Sequence, residues 1–194
     1  SKIIHVIHSL DNEDFHIGCR EANKIITLSK RAKVKIKDIY NRDSLQIEQP
    51  IDTQKYYYKG CREKPMVMFQ NDHRNGMVNL PLLISLTNIN NLSLVSNSKN
   101  FFIDKPVNVI EKMEMSDISI CYGRCAIESM SMGLNTIIYG INGGDGLVTL
   151  DNIDLLKSRN FSGSFGEIGT PFNDNKVLEK LQNNIEKYSN DTKG

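Results

Sequence analysis

Apolar and polar positions alternate along this chain in short blocks that predict strands followed by helices. Lys2 to Ile7 forms an apolar run ending at His8 and Ser9, and it predicts a first strand. The polar segment 11–16 (DNEDFH) reads as a loop and Ile17 to Asn23 as a short helix. KIITLS at 24–29 reads as a second strand closed by serine. From Lys30 to Lys37, lysines alternate with Ala, Val and Ile. This fits the solvated face of a helix better than a phosphate site.

The pattern loosens from Asn41 to Lys59, where a short strand LQIE is followed by Pro50 and three consecutive tyrosines, Tyr56 to Tyr58. Proline and mixed polarity mark a linker, with a boundary near 53–62. The tyrosines are read as packing at that hinge.

A regular rhythm follows. Met66 to Phe69 is an expected strand, 70–76 a polar turn, Met77 to Thr87 a helix and Leu92 to Val95 a strand. Val107 to Ile110 is expected as a further strand and Lys112 to Ser116 as a helical turn. Ile118 to Cys121 is a buried-type strand, Gly123 a turn, and Ala126, Met130 and Gly133 share a helical face. Thr136 to Tyr139 is the next strand, followed by a glycine-rich loop, 140–146. Asp151 caps a short helix to Lys157, NFSG at 160–163 is a turn, and 174–188 closes the chain as an amphipathic helix. Continuous apolar strands alternating with helices predict a doubly wound α/β fold with a parallel sheet.

Composition narrows the function classes. In 194 residues, 24 Lys and Arg face 23 Asp and Glu, so bulk charge gives no attraction for nucleic acid or anionic lipid. The four cysteines, Cys19, Cys61, Cys121 and Cys125, form no metal-type pair and read as reduced thiols of a cytosolic protein. His5, His8 and His16 lie across a strand and a loop without a carboxylate pattern around them, so a structural role is preferred to metal binding. No apolar run approaches the roughly 20 residues that span a bilayer, which predicts a cytoplasmic protein, at most peripheral to a membrane.

The segment 116–149 is where chemistry concentrates. There is no GxGxxG after the first strand and no GxxxxGK[ST], which removes support for dinucleotide oxidoreductases and P-loop NTPases. A strand, a glycine turn and a helix nevertheless aim helix N-terminal amides at an anion. Gly123 permits close approach, Arg124 adds a cation, and the amides of 124–126 face the anion. A cation at a helix N-terminus costs about 0.3–1 kcal/mol when exposed, so Arg124 favours a bound anion. Glu128, four residues on, serves equally as the partner of Arg124 or as the acceptor of two sugar hydroxyl hydrogen bonds. Asp145 in the glycine loop is a candidate for substrate hydroxyls, and Arg74 for a second phosphate.

These residues resemble a known family. Ser116-Asp117-Ile118, Gly123-Arg124, Ile127-Glu128-Ser129-Met130, Gly133, Ile137-Ile138-Tyr139 and Gly143-Gly144-Asp145-Gly146 are similar to the nucleotide-sugar-binding domain of group 1 glycosyltransferases of GT-B fold. Residues 21–29 look like the last strand of that family's acceptor domain, 50–52 like its linker motif, and 160–163 fits the same subgroup.

The resemblance implies a Rossmann-like C-terminal domain with a remnant of the N-terminal domain. It divides the chain into an acceptor-domain end and linker (1–52), a donor domain (53–172) and a closing helix (173–194). It implies a transferase that moves a sugar from a nucleotide diphosphate sugar to a glycan or lipid-linked acceptor, without a metal or further cofactor and without nucleic acid as a partner. The missing part of the N-terminal domain would be the route to peripheral attachment at the inner membrane face. Arg124 and Glu128 are assigned to catalysis. Arg74, Gly123, Arg124, Cys125, Glu128, Gly143, Gly144 and Asp145 are assigned to the donor, with Glu128 on the ribose.

Two departures stand out. Ile120 occupies the position where many retaining members carry a glutamate, and only some fifty residues precede the linker, as expected of a fragment. The alternative class is a non-catalytic nucleotide-binding or interaction module of the same fold, and a third reading is a sugar-nucleotide epimerase.

Overall fold

The computed structural model describes residues 2–7, 14–57, 66–69, 93–96, 108–140, 143–163, 179 and 182–183. The chain divides into two compact units, Ser1–Pro50 with Ile153–Asn160, and Ile51–Asn152 with Phe161–Gly194.

The first unit is a small parallel sheet with helical crossovers. β1 (Ile4–Ile7), β2 (Lys24–Thr27) and β3 (Leu45–Gln46) pair in that order, both ladders parallel. Between them run α1 (Asp14–Glu21) and α2 (Lys30–Tyr40). Ile7, Cys19, Ala22, Ile25 and Ile36 make the core, with Tyr40 against it, because Cβ atoms alternate across a strand and one face is left for the helices.

α1 begins earlier than its polar sequence suggests, so the loop expected over 11–16 ends at Asp14. A helix needs only one apolar stripe, and Cys19 supplies it here, buried at 0% exposure. The last carbonyls of α1 are met by Arg42, whose Nη1 donates to Cys19 O at 2.7 Å and Arg20 O at 3.2 Å, and whose Nη2 donates to Ala22 O at 2.6 Å. Ser29 does not close β2 but caps α2, its Oγ accepting from Ala32 N at 3.2 Å, the usual service of an N-cap serine. Asn41 ends α2 in the left-handed region, φ 48°, and its N–H donates to Lys37 O at 2.9 Å. Ala32 and Ile36 face inward while Lys30, Lys33 and Lys37 stay exposed, so the basic run is a solvated face. His5 packs over Gly18, where any added Cβ would collide with the imidazole, a structural role for that histidine.

The second unit holds a five-stranded sheet of β4 (Met66–Phe69), β5 (Ser93–Ser96), β6 (Ile118–Cys121), β7 (Asn135–Gly140) and β8 (Gly143–Leu147), in the order β5-β4-β6-β7-β8. The first four strands are mutually parallel, and β8 runs antiparallel to β7. All four residues of β6 are buried, as expected of a central parallel strand covered on both faces. The architecture is mixed α/β with parallel sheets of Rossmann-like kind.

Two sequence expectations fail in this unit. The strand expected over 107–110 is absent from its described part, since Asn108 caps α3, which spans Val109–Glu114. Asn108 accepts from Ile110 N at 3.2 Å, and this cap, with Glu111 in the first turn, outweighs the β-branched character of the run. The second failure is the glycine stretch 143–146, which is strand rather than loop. Backbone pairing with β7 holds it, through Gly140↔Gly143, Tyr139↔Gly144 and Ile138↔Gly146, with an irregularity between Ile138 and Tyr139. The parallel sheet thus carries an antiparallel edge. After it, α5 spans Ile153–Ser158 and belongs to the first unit. The helix expected over 77–87 lies outside the described residues, as does most of that expected over 174–188.

Candidate functional site

The order β5-β4-β6-β7 reverses direction between β4 and β6, because the chain first winds outward to β5 and then returns to the other side of β4. In open α/β sheets, ligands sit beyond the carboxyl ends of the strands at such a reversal. The turn leaving β6 at Cys121 stands at that place. It enters α4 (Arg124–Ser131), which packs against β6 and β7.

Gly123 is the N-cap of α4 and lies at φ 62°, ψ −136°, with no side-chain capping bond. That region is effectively closed to residues with a Cβ. A Cβ built there meets nothing within 4 Å, so torsion, not crowding, demands the glycine. The Gly123 N–H donates to Phe161 O at 2.7 Å, and its carbonyl accepts from Ala126 N at 3.1 Å. The Ala126 amide is therefore committed within the turn. This corrects the expectation that the amides of 124–126 act as a group. Arg124 and Cys125 keep the first-turn amides that a helix leaves without an internal acceptor.

Arg124 opens the helix, and its Nε donates to Glu128 Oε1 at 2.9 Å. The Arg124 side chain is 58% exposed and that of Glu128 only 12%. Burial first, then the nearby charge of Glu128 and hydrogen bonding to it, raise the Tyr56 phenol above its ordinary pKa. The Tyr56 ring packs with Cys125 against Met113, Met132 and Leu134. The ion-pair reading of Glu128 is thus realised in a mostly buried carboxylate held by Arg124. Since a carboxylate offers about four lone-pair sites, this bond leaves capacity for further donors.

Behind the turn lies a buried polar cluster. Ser129 Oγ donates to Ser119 Oγ at 2.8 Å, Ser119 Oγ to Cys121 Sγ at 3.2 Å, and Cys121 Sγ stands 3.7 Å from Ser129 Oγ. Burial pushes the Cys125 thiol well up, reinforced by its hydrogen bond with Cys121. Burial also raises Cys121, but hydrogen bonds from Cys125, Ser119 and Ser129 outweigh it and bring that thiol below its ordinary value. Cys19, Cys121 and Cys125 are all free thiols.

Gly143 begins β8 beside Gly140, so it stands at the same sheet edge as the Cys121 turn. Asp145 lies further into the strand, only 4% exposed and engaged within the fold. It is therefore not the open loop carboxylate that the sequence suggests. Gly144 is buried in the same ladder. Arg74 falls outside the described residues. Sequence reading missed that Tyr56 packs with Cys125 against Met113, Met132 and Leu134, which carries no local signal because those residues are remote in the chain. Among the described residues no three His, Cys, Asp or Glu side chains gather as a metal site, and no helix is long and apolar enough to cross a membrane.

No protein-family model matches the sequence, and no curated protein matches it. Among solved structures, the chain is similar to that of accessory secretory protein 1, 2 and 3 of Streptococcus pneumoniae, with 16% identity and a TM-score of 0.42. The match covers 91% of this chain and 46% of the other, so the chain spans about half the length of the structure it matches.

Proposed function

We propose that the second unit binds the nucleoside diphosphate of a sugar donor and that the chain is part of a glycosyltransferase acting on a glycan or lipid-linked acceptor at the cytoplasmic face of the cell. One observation carries this reading: the strained Gly123 turn lies at the carboxyl end of β6, where the strand order reverses, and starts a helix with a largely exposed arginine. In transfer, the acceptor hydroxyl oxygen bonds to the anomeric carbon while the bond from that carbon to the phosphate oxygen breaks, the diphosphate leaves with the electron pair, and the hydroxyl proton passes to the departing phosphate or to water. Arg124 and the first-turn amides would offset that growing negative charge. Glu128 would accept from ribose hydroxyls.

A non-catalytic module of the same fold is the second reading, and a specific observation favours it. Ile120, where many retaining members of the resembled family carry a glutamate, is a fully buried apolar residue one place before the carboxyl end of β6 and offers a donor no hydrogen bond. A transferase assay on the whole gene product separates the two, because only the enzyme consumes donor in the presence of acceptor.

Binding is tested by titrating UDP, GDP and their sugars into wild type, Glu128→Ala and Arg124→Gln. Losing a charged hydrogen bond to phosphate costs about 1.5–3 kcal/mol, or roughly ten- to a hundredfold in affinity. Arg124→Gln should also cost stability, on the order of 1–3 kcal/mol, because it leaves a carboxylate only 12% exposed without its cation, so urea denaturation accompanies the titration. Failure of wild type to bind any of these nucleotides sinks the proposal, and unchanged affinity in Glu128→Ala removes Glu128 from the site.

A further inference from the structure

The Gly123 turn is held in one conformation by something other than Gly123 itself. Glycine tolerates φ 62° and ψ −136° but tolerates many other conformations as well, and no side chain caps α4. The hold comes from the main chain of Phe161, whose carbonyl accepts the Gly123 N–H at 2.7 Å. Phe161 lies in the left-handed region, φ 53°, directly after Asn160 at φ 57°. Asparagine is at home there when it closes a helix, and the Asn160 N–H donates to Lys157 O at 2.9 Å at the end of α5. A bulky aromatic residue is not at home there. Such a conformation persists only where the surroundings over-determine it, and here the ring is the anchor, since Phe161 is only 4% exposed.

We propose that Phe161 is a positioning residue for the candidate site: its buried ring locks a strained main chain, which keeps the Phe161 carbonyl on the Gly123 N–H and so keeps the amides of Arg124 and Cys125 directed at the diphosphate. The proposal rests on the nucleotide-binding reading above. Phe161 itself touches no ligand and acts through Gly123. A residue free to leave the left-handed region would carry its carbonyl away from the turn, and preorganisation of this kind yields affinity because less ordering is left to binding.

The test compares the 194-residue wild type, Phe161→Leu and Phe161→Ala by amide hydrogen exchange and by calorimetric titration. Both replacements carry a Cβ and meet the same torsional penalty, but only leucine keeps a large apolar side chain as an anchor. In Phe161→Ala the Gly123 amide should exchange roughly tenfold faster relative to the Ile120 amide, while in Phe161→Leu it should stay near wild type. UDP, GDP and inorganic pyrophosphate should bind Phe161→Ala roughly five- to tenfold more weakly than wild type, and Phe161→Leu with little change. Uridine and guanosine, which have no phosphate, should bind all three chains alike.

Any of these results overturns the proposal alone, with wild-type nucleotide binding intact: a Gly123 amide as protected in Phe161→Ala as in wild type, an equal loss of protection at Gly123 and Ile120, an unchanged diphosphate affinity while Gly123 loses protection, a loss for the nucleosides equal to that for the diphosphates, or a Phe161→Leu chain that behaves like Phe161→Ala. Absence of wild-type binding overturns the nucleotide reading and this inference together.

Discussion

Gly123 offers the sharpest test of how the turn is built. Its φ of 62° and ψ of −136° would hold any L-residue at a strain of about 1–3 kcal/mol. Replacing glycine with alanine also restricts the unfolded chain, which returns about 0.4–1 kcal/mol. The net cost of Gly123→Ala is therefore about 0–2.6 kcal/mol. At roughly 2–4 °C per kcal/mol for a chain of this length, the melting point should fall by up to about 10 °C. Since nothing lies within 4 Å of the added Cβ, the cost is torsional and should hardly depend on side-chain size. Gly123→Ala, Gly123→Ser and Gly123→Leu should agree within about 0.5 kcal/mol in urea denaturation. A cost climbing by more than about 1 kcal/mol from alanine to leucine, or an alanine variant more stable than wild type, would refute the torsional account.

Two other outcomes can be measured in the same unit. Ser129→Ala removes the donor to Ser119 in a fully buried cluster, so urea denaturation should show a loss of about 1–3 kcal/mol. Ser119→Ala combined with Ser129→Ala should cost clearly less than the two separately, as the residues share partners. Tyr139, whose pKa burial pushes up to about 12, should make the protein less stable in alkali. Below an unfolded value of about 10, both states keep the proton. As pH rises from there through about 12, the unfolded state releases it first and stability falls, by an amount on the order of 2 kcal/mol. Unfolding curves between pH 8 and 12 should show this decline, and Tyr139→Phe should flatten it.

What the sequence revealed and what it hid follow from the range of the forces involved. The β6, Gly123 and α4 sequence was legible because each part is set locally, by a continuous apolar run, a glycine where φ turns positive and apolar residues at helical spacing. Residues 109–114 were misread because Val109 and Ile110 look like a strand until the Asn108 cap is weighed. The stretch 143–146 was misread because glycines carry no strand propensity. Only its ladder with β7 makes it a strand, and that ladder in turn withdraws Asp145 from solvent. The packing of Tyr56 against Met113, Met132 and Leu134 joins residues far apart in sequence, and no periodicity encodes it.

The guanidinium of Arg42 has a consequence for the order in which the first unit assembles. Three carbonyls at the end of α1 depend on a single side chain that arrives only after β2 and α2 have been traversed. During synthesis α1 would emerge with its last turn open to water, and would be finished only when Asn41 has reversed the chain and delivered Arg42. One cation thus acts as a late clasp, tying the end of the first helix to the segment that follows the second.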